Sequence, residues 1–457
     1  MPNIETASEA LGTSAARRTG PGQPTADTCP PDPRCEHRIP GVTGAARRIM
    51  LTETGNRNSP TPGPMNEPKP TYRLRWHLRM ADIDPTAWDA LAKPLDTPLL
   101  EWDWLHLMED SGSITAENGW QPCHLTVWDG PRLAAAAPLY VKGHSAGEFV
   151  FDHAWADVAQ RLGIAYYPKL VGMSPVTPAV GYRFLVAEGT DEAHVTRLMM
   201  AEIDRFCGQN ALSGVSFLFV DPDWLPLARR QGLVPWRHGS FLWENEGFFS
   251  FDDYLRRFNA NQRKNIRKEV AAMPRQGIRM ETVSGDRIPG SYFTRMYRFY
   301  ERTNDQYGIW GCKYLTRRFF TQLADCYRHR LLFAAAYAVG NGPEPVGLSL
   351  LLTKRDRIYG RYWGCERQVN HLHFNACYYT PIAWAIENGI RYFDPGAGSA
   401  HKIRRGFRAV ANHSLHRFYD PNLKRLLHTH IKRINEAEQE QIDALNRSLP
   451  FAQRAEG

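Results

Sequence analysis

A segment near the C-terminus, residues 359–407, constrains the fold of this chain more than any other. It reads YGRYWGCERQVNHLHFNACYYTPIAWAIENGIRYFDPGAGSAHKIRRGF. The pattern predicts a strand, a helix from Asn375 to Asn388, a second strand from Arg391 to Asp394 and a basic, glycine-rich loop. Backbone N–H groups at a junction between a loop and a helix favour anions. The segment therefore predicts an α/β unit with an anion-binding loop.

The bulk composition indicates a globular protein with an anionic partner. The chain has 457 residues, 43% of them hydrophobic, which is enough for one to three domains. Its formal net charge of +8 favours a nucleotide, tRNA or a lipid head group without choosing among them. The eight cysteines form no Cys-x-x-Cys pair, so we expect reduced thiols and a cytoplasmic protein. No apolar run is long enough for a transmembrane segment.

Composition and periodicity divide the chain into four regions. Residues 1–68 are rich in Pro, Gly, Thr, Ser and Ala and predict a disordered N-terminal tail. Residues 72–246 and 247–420 each predict an α/β domain, and the similar order of their elements indicates two related domains. Residues 421–457 predict a C-terminal amphipathic helix and a tail.

Individual elements can be predicted in both domains. In the first, Cys123–Trp128 and Leu133–Tyr140 predict paired strands, and Asp191–Gln209 predicts a helix capped by Thr190. In the second, Tyr292–Thr303 and Tyr314–Tyr327 predict helices. Three further segments predict an antiparallel meander: Leu331–Val339, Pro345–Thr353 and Arg357–Trp363.

The basic glycine loop and the strand before it are the main candidates for binding an anion. Gly396 and Gly398 permit close approach of the backbone, and Lys402 and Arg405 would neutralise a phosphate. Arg361 shares a strand face with Trp363, and an arginine inside a sheet is costly unless it is paired with an anion or a carboxylate. A solvated turn and a structural ion pair are the alternatives.

Other polar clusters have both a functional and a structural interpretation. His371-x-His373 lacks a third ligand at diagnostic spacing, so we predict a hydrogen-bonding role and no metal site. Glu387 is either a helix-surface residue or a general base. Asp152 and Lys169 lie in aromatic sequence, where their ionisation is perturbed or where they form a salt bridge.

A basic run predicts a positively charged helix face in the second domain. Arg263 and Arg267 are four residues apart, as are Lys264 and Lys268, so each pair lies on one side of a helix. Such a face can dock on an RNA backbone or a diphosphate. A solvated charged surface is the alternative.

Together these segments resemble the Fem-like branch of the GNAT acyltransferase superfamily, known as peptidoglycan biosynthesis/recognition proteins. The resemblance covers residues from about 98 to 420. It rests on GWQPCHL (119–125), AAAAPLYVKGHSAGEFVFDHAWA (134–156), YYPKL (166–170), RKNIRKE (263–269), WGCKYLTRRFF (310–320), YGRYWGC (359–365), LHFNACYY (372–379) and FDPGAGSAHKIRRGF (393–407).

The resemblance implies a fold class and an activity. The fold would be α/β, with tandem GNAT-like domains of mixed, mostly antiparallel sheets flanked by helices. The activity would be transfer of an acyl or aminoacyl group to an amine acceptor, such as a cell-wall precursor, a peptide or a small metabolite. The donor would be acyl-CoA or aminoacyl-tRNA as co-substrate, with no bound cofactor.

The resemblance also implies roles for the candidate residues. Proton transfer would fall to His401, Glu387 or Asp152. Donor or phosphate binding would involve Lys402, Arg405, Gly406, Arg361, Arg263 and Lys264. Substrate binding would involve Lys169, Trp363, Tyr378, Tyr379 and His373.

The chain departs from the family pattern at positions that bear on catalysis. Asn375 stands where the family usually has Glu, and Thr380-Pro381 stands where it has Gln-Gly. Gly398-Ser399-Ala400 replaces Gln-Gly-Glu before His401. The lost carboxylates leave open one alternative, a non-catalytic recognition protein for cell-wall precursors. The basic face at 263–268 leaves open another, an RNA-binding module.

Overall fold

The computed structural model describes residues 54–55, 71–150, 152–306, 312–340, 342–398 and 400–452. Apart from residues 54–55, the predicted disordered tail at 1–68 lies outside the described residues. The last five residues of the predicted C-terminal region also lie outside them.

Helices α1 to α11 flank the sheets in the described chain. Several begin at a side-chain cap: Asp84 accepts from the Ala87 amide, and Asn259 accepts from the Gln262 amide. A short turn and a π-helical segment, Asn375–Tyr379, precede α10. A 3-10 helix spans Ala400–Arg405. The α-helices are α1 (Pro85–Ala92), α2 (Trp102–Asp110), α3 (His153–Arg161), α4 (Glu192–Gln209), α5 (Leu225–Arg230), α6 (Phe251–Arg256), α7 (Ala260–Arg275), α8 (Ser291–Asp305), α9 (Arg317–Cys326), α10 (Thr380–Glu387) and α11 (Pro421–Arg447).

Strands β1 to β16 form two sheets. They are β1 (Thr54–Gly55), β2 (Tyr72–His77), β3 (Trp120–Pro122), β4 (His124–Asp129), β5 (Arg132–Ala137), β6 (Tyr140–Lys142), β7 (Lys169–Gly172), β8 (Leu185–Val186), β9 (Gly214–Phe217), β10 (Val234–Glu244), β11 (Ile278–Ser284), β12 (Leu331–Ala338), β13 (Gly347–Lys354), β14 (Arg357–Cys365), β15 (Tyr392–Asp394) and β16 (Arg408–Phe418). The smaller sheet has the order β1-β2-β4-β5-β8 and is antiparallel throughout.

The larger sheet repeats one strand pattern in the two halves of the chain. Its order is β11-β12-β13-β14-β15-β10-β16-β9-β7-β6-β3. Strand β7 runs parallel to β9, and β14 runs parallel to β15, whereas the other neighbours are antiparallel. Both parallel pairs are connected through a helix, α4 in the first half and α10 in the second. The mixed, mostly antiparallel α/β class predicted from the sequence is confirmed.

The two halves exchange their last strands. Strand β10 ends the first half but pairs with β15 of the second, and β16 of the second half pairs with β9 of the first. At the centre, β10 and β16 pair with each other from Val234–His416 to Leu242–Arg408. Helix α11 packs across both strands. The halves therefore share one continuous sheet.

Aromatic packing also joins the halves below the sheet. The buried Trp104 ring of α2 lies 5.6 Å from Phe319 of α9 and 5.7 Å from Tyr327, measured between ring centroids. Aromatic pairs at this distance stabilise a core beyond the area they bury. The main hydrophobic core consequently includes residues of both halves.

Three element boundaries differ from the sequence prediction. Helix α4 is capped by Asp191, which accepts from the His194 amide at 3.0 Å, because Thr190 is held in the preceding turn by the Ala187 carbonyl. Tyr140 belongs to β6 of the larger sheet and not to β5. The helix predicted from Tyr314 begins at Arg317, because the amide of Tyr314 donates to the Tyr300 hydroxyl and Thr316 is the N-cap.

Candidate functional site

A cavity of about 230 Å³ lies between the two halves, where β14 and β15 diverge. The register pairs β15 with β14 only from Arg357 to Tyr359, so β14 runs on to Cys365 without that neighbour. Three residues of the first half, Phe149, Val176 and Pro178, line the cavity together with residues of the second half. The described lining residues are Phe149, Val176, Pro178, Tyr300, Thr303, Asn304, Cys312, Tyr314, Leu315, Arg361, Tyr362, Trp363, Pro395, Gly396 and Ala397.

Arg361 supplies the one cationic side chain among those described lining residues. Its Nε and Nη2 atoms are buried and have no hydrogen-bond partner. Burial raises the pKa of nearby Asp394, although the positive charge of Arg361 acts to lower it. The Asp394 carboxylate accepts a hydrogen bond from the Gly396 amide at 2.7 Å. Two unpaired buried donors cost stability unless a ligand accepts from them. The cavity therefore has a built position for an anion.

Lys402 lies behind the cavity wall and holds the glycine loop. Its ammonium donates to the carbonyls of Gly396 at 2.7 Å and Ala397 at 2.9 Å. The side chain is buried, and burial lowers its pKa to about 8. A Cβ atom at Gly398 would lie 3.1 Å from the Lys402 Nζ, so glycine permits this close approach. Lys402 thus fixes the shape of the wall that carries Gly396 and Ala397.

Arg405 and Tyr379 contact Glu269 of helix α7, and neither they nor Gly406 are among the described residues that line the cavity. The Arg405 Nη2 atom donates to both carboxylate oxygens of Glu269, at 3.1 and 3.2 Å, and the Tyr379 hydroxyl donates to the same carboxylate. The guanidinium lies 3.5 Å above the centroid of the Phe374 ring. Gly406 has a φ of 74°, in the left-handed region that glycine favours. Arg405 is consequently engaged inside the protein.

A cluster of two imidazoles, His373 and His401, packs beside Trp363 and Tyr378. The Tyr378 hydroxyl and His401 Nε2 are 2.9 Å apart, and the ring centroids of His373 and Trp363 are 4.7 Å apart. Burial lowers the pKa of His373 to about 3, so its ring is neutral at physiological pH. Trp363 touches both this cluster and the cavity. The cluster can therefore orient one wall of the cavity.

Asp152 and Lys169 form a buried ion network in the first half. The Lys169 ammonium lies 2.5 Å from Asp152 and 2.8 Å from Glu148, and all three side chains are buried. Burial alone would raise the pKa of Asp152, but the Lys169 charge brings it below its ordinary value. Burial raises the pKa of Glu148 to about 7. Lys142 lies beside this network, 3.6 Å above the Trp120 ring.

The basic face predicted from residues 263–268 lies on α7, and none of its residues is among the described residues that line the cavity between the halves. Arg263 is half-buried, whereas Lys264 and Lys268 are exposed. A second cavity of about 140 Å³ adjoins this face, lined by Gln262, Asn265, Lys268, Glu269, His371 and Arg404. Glu387 is exposed at the last residue of α10.

The structure brings together some predicted residues and adds others that the sequence did not indicate. Arg361 and Trp363 line the cavity, while Lys402 supports it from behind. Two lining residues, Phe149 and Val176, were not predicted from the sequence. Their φ angles in the structure are positive, 56° and 47°. No local sequence signal indicates them, because they reach the cavity only when the halves pack together.

Two negative findings concern the described part of the chain. It contains no group of three His, Cys, Asp or Glu residues that could hold a metal ion. None of its helices has the length and apolar character needed to cross a membrane.

Several solved structures are similar to this chain at low sequence identity. A crystal structure of FemX is similar at 11% identity and a TM-score of 0.46, covering 76% of this chain and 98% of that one. L-PGS from Bacillus licheniformis is similar at 10% identity and a TM-score of 0.42, covering 78% and 98%. A tandem GNAT protein from the clavulanic acid biosynthesis pathway is similar at 13% identity and a TM-score of 0.40, covering 76% and 99%.

A family model supplies the assignment. No curated protein matches the chain in sequence. The model of the FemAB-like family, described as peptidoglycan biosynthesis/recognition, matches residues 79–453. This match spans both halves and confirms the resemblance found in the sequence motifs. The chain belongs to the FemAB-like family.

Proposed function

We propose that this protein is an acyl- or aminoacyltransferase that forms an amide bond on an amine acceptor. The observation that carries the proposal is the cavity between the halves, where Arg361 offers two unpaired donors beside the Lys402-anchored glycine loop. Family membership supports an acceptor related to peptidoglycan precursors. A peptide or a small metabolite with a free amine fits the same chemistry.

The reaction joins two substrates in this cavity. The acceptor nitrogen attacks the donor carbonyl carbon, a C–N bond forms, and the C–S or C–O bond to the leaving group breaks. The proton lost by the amine is taken up by the leaving thiolate or ribose oxygen, directly or through water. Beyond Tyr359 the edge of β14 has no neighbouring strand among the described residues, and its backbone N–H groups would donate to a substrate carbonyl. The protein's main contribution would be positioning.

The donor would be acyl-CoA or aminoacyl-tRNA, each acting as a co-substrate. Both are cytoplasmic metabolites, which is why we place the reaction in the cytoplasm. For tRNA, the exposed Lys264 and Lys268 of α7 would contact phosphates. Binding through such contacts would weaken steeply as salt is raised.

The direct test is a transfer assay on the full chain. Labelled acetyl-CoA, longer acyl-CoAs and aminoacyl-tRNA would each be incubated with amine acceptors, including peptidoglycan precursor peptides, and amide products measured by mass spectrometry. We expect product with one donor class and a large loss in Lys402→Met. Absence of product with every donor would overturn the proposal.

A second candidate function is non-catalytic recognition of cell-wall precursors. One observation favours it: the described residues that line the cavity include no carboxylate and no imidazole. Asp152 forms an ion pair with Lys169 and is buried elsewhere in the first half. Precursor binding without any transfer, measured on the same samples, would support this alternative.

A further inference from the structure

The guanidinium of Arg361 presents one complete edge without partners. The buried atoms that lack hydrogen bonds are Nε and Nη2, which lie on the same side of an arginine side chain. Their spacing matches the two oxygens of a carboxylate or a phosphate, which accept two parallel hydrogen bonds from such an edge. The geometry therefore calls for a planar or tetrahedral oxyanion.

Charge favours a carboxylate over a phosphate. Arg361 is the one cationic residue among the described lining residues, and Asp394 already offsets part of its charge. Lys402 is close, but two of its three donors are used by the Gly396 and Ala397 carbonyls. A phosphate or diphosphate with two or more negative charges would remain poorly neutralised here. A single carboxylate matches the available charge.

The walls favour an apolar group next to that carboxylate. The apolar side chains of Phe149, Val176 and Leu315 line the space, as do the rings of Tyr314 and Trp363. At about 230 Å³ the cavity is smaller than the clefts that enclose whole drug-sized ligands. It is suited to one end of a substrate, while the phosphates of either donor would lie outside.

We infer that the interdomain cavity binds the carboxylate end of the acceptor, with Arg361 as the residue that recognises it. The acceptor would then be an amino acid or a short peptide with a free carboxylate and an apolar or aromatic neighbouring group. This inference rests on the proposed transferase function of the same cavity. It assigns Arg361 to the acceptor, whereas the sequence motifs suggested a donor phosphate.

Three matched probes separate the possible ligands. They are 3-phenylpropionate, its uncharged amide 3-phenylpropionamide, and 2-phenylethyl phosphate, and each is titrated calorimetrically into the full-length protein. We expect the carboxylate to bind at least about tenfold more tightly than the other two, because only it matches both the edge and the charge. Equal or tighter binding of the phosphate, or no preference over the amide, would overturn the inference.

The same substitution at two arginines of one strand supplies the control. Arg361→Lys keeps the charge but removes the edge, so carboxylate affinity should fall about tenfold. Arg357→Lys changes a residue of β14 that is already paired with Asp96, and affinity should be unchanged. Unliganded melting temperatures verify that both variants fold. Equal affinities in the two variants would contradict the role of Arg361.

Activity distinguishes this inference from the proposed function. If the carboxylate binds through Arg361 but no donor supports transfer, the carboxylate site stands and the transferase function fails. If transfer occurs equally on acceptors with and without a carboxylate, the transferase function stands and the inference fails.

Discussion

Burial in the first half disfavours the ionised forms of two residues, Glu148 and Lys142, near neutral pH. Burial raises the pKa of Glu148 to about 7 and lowers that of Lys142 to about 7. Both belong to the surroundings of Lys169, which is fully enclosed with Glu148 and Asp152. Because a pKa that differs between folded and unfolded states makes stability depend on pH, these residues should shape the pH profile of unfolding.

We expect Glu148→Gln to remove part of the pH dependence of stability. The folded state binds more protons than the unfolded state between the ordinary pKa of 4.5 and about 7. The stabilisation is therefore complete below the lower value and is lost as pH rises through the upper one. Each unit of pKa shift corresponds to about 1.4 kcal/mol. Urea unfolding from about pH 5 to 8 measures the effect.

The comparison variant for this prediction is Glu440→Gln, on an exposed position of α11. Its unfolding free energy should follow the wild type at every pH. The lowered pKa of Lys142 makes stability rise with pH from about pH 7 upward. Lys142 is present in the wild type and in both variants, so this rise is common to all three profiles. Parallel profiles for Glu148→Gln and the wild type would show that Glu148 does not titrate in this window.

Lys402→Met should loosen the glycine loop while keeping the volume of the side chain. The variant removes the ammonium that donates to the Gly396 and Ala397 carbonyls, and a hydrogen bond from a charged group is worth about 1.5 to 3 kcal/mol. Hydrogen exchange at Gly396–Gly398 should become faster, and transfer activity should fall with it. Lys424→Met, at an exposed position of α11, is the matched control. Unchanged exchange in the loop would contradict an anchoring role for Lys402.

At the scale of elements, helix α8 lies closer to β14 than a side chain at Gly364 would permit. A Cβ atom there would be 2.5 Å from the Phe299 carbonyl oxygen and 2.7 Å from its carbon. This approach brings Tyr300 and Thr303 of α8 to the cavity wall, where the Thr303 hydroxyl donates to the Trp363 carbonyl at 3.3 Å. Gly364 thereby sets how far the helix stands from the strand.

Gly364→Ala should destabilise the protein and weaken ligand binding together. The added methyl must displace backbone, and overpacking of this kind costs about 1 to 3 kcal/mol. Chemical denaturation and probe titration measure the two effects. Gly208→Ala in α4 is the control, because nothing lies within 4 Å of its Cβ position and a helical alanine is favoured by up to about 1 kcal/mol. A neutral Gly364→Ala would mean that α8 shifts freely.

Local periodicity explains which elements could be predicted. The amphipathic helices α4 and α11 and the meander β12 to β14 carry their signal within the segment itself, and the structure has them. The exchange of β10 and β16 has no such signal, because it pairs residues from opposite halves of the chain. The site divides in the same way. The alternation of β14 indicated Arg361 and Trp363, whereas Phe149 reaches the cavity only through packing of the halves.

At the scale of the whole molecule, a buried cluster of ion pairs connects the two halves. Glu101 of the first half lies 2.8 Å from the Lys354 ammonium and 2.7 Å from the Arg330 guanidinium of the second. The Tyr327 hydroxyl also donates to Glu101. Glu101 and Lys354 are buried, and Lys354 additionally donates to the carbonyls of Ala92 and Thr97. This cluster holds the halves whose junction forms the cavity.

Glu101→Gln should therefore destabilise the protein strongly. It leaves the buried Lys354 charge without a counterion, and removal of one partner of a buried pair costs about 3 to 5 kcal/mol. The double variant Glu101→Gln with Lys354→Met should recover part of this loss, because the stranded charge is gone. Urea unfolding of the two single variants and the double variant measures the coupling.

A surface ion pair across the same junction tests whether burial causes the large loss of stability expected for Glu101→Gln. Arg355 and Asp96 also join the halves, at 2.9 Å, but both side chains are about half exposed. Arg355→Met should cost less than about 1 kcal/mol, because solvent screens an exposed pair and side-chain entropy opposes it. If Glu101→Gln cost no more than Arg355→Met, the halves would be held by the shared sheet and the aromatic core alone. A larger cost would make the buried cluster a determinant of how the cavity is assembled.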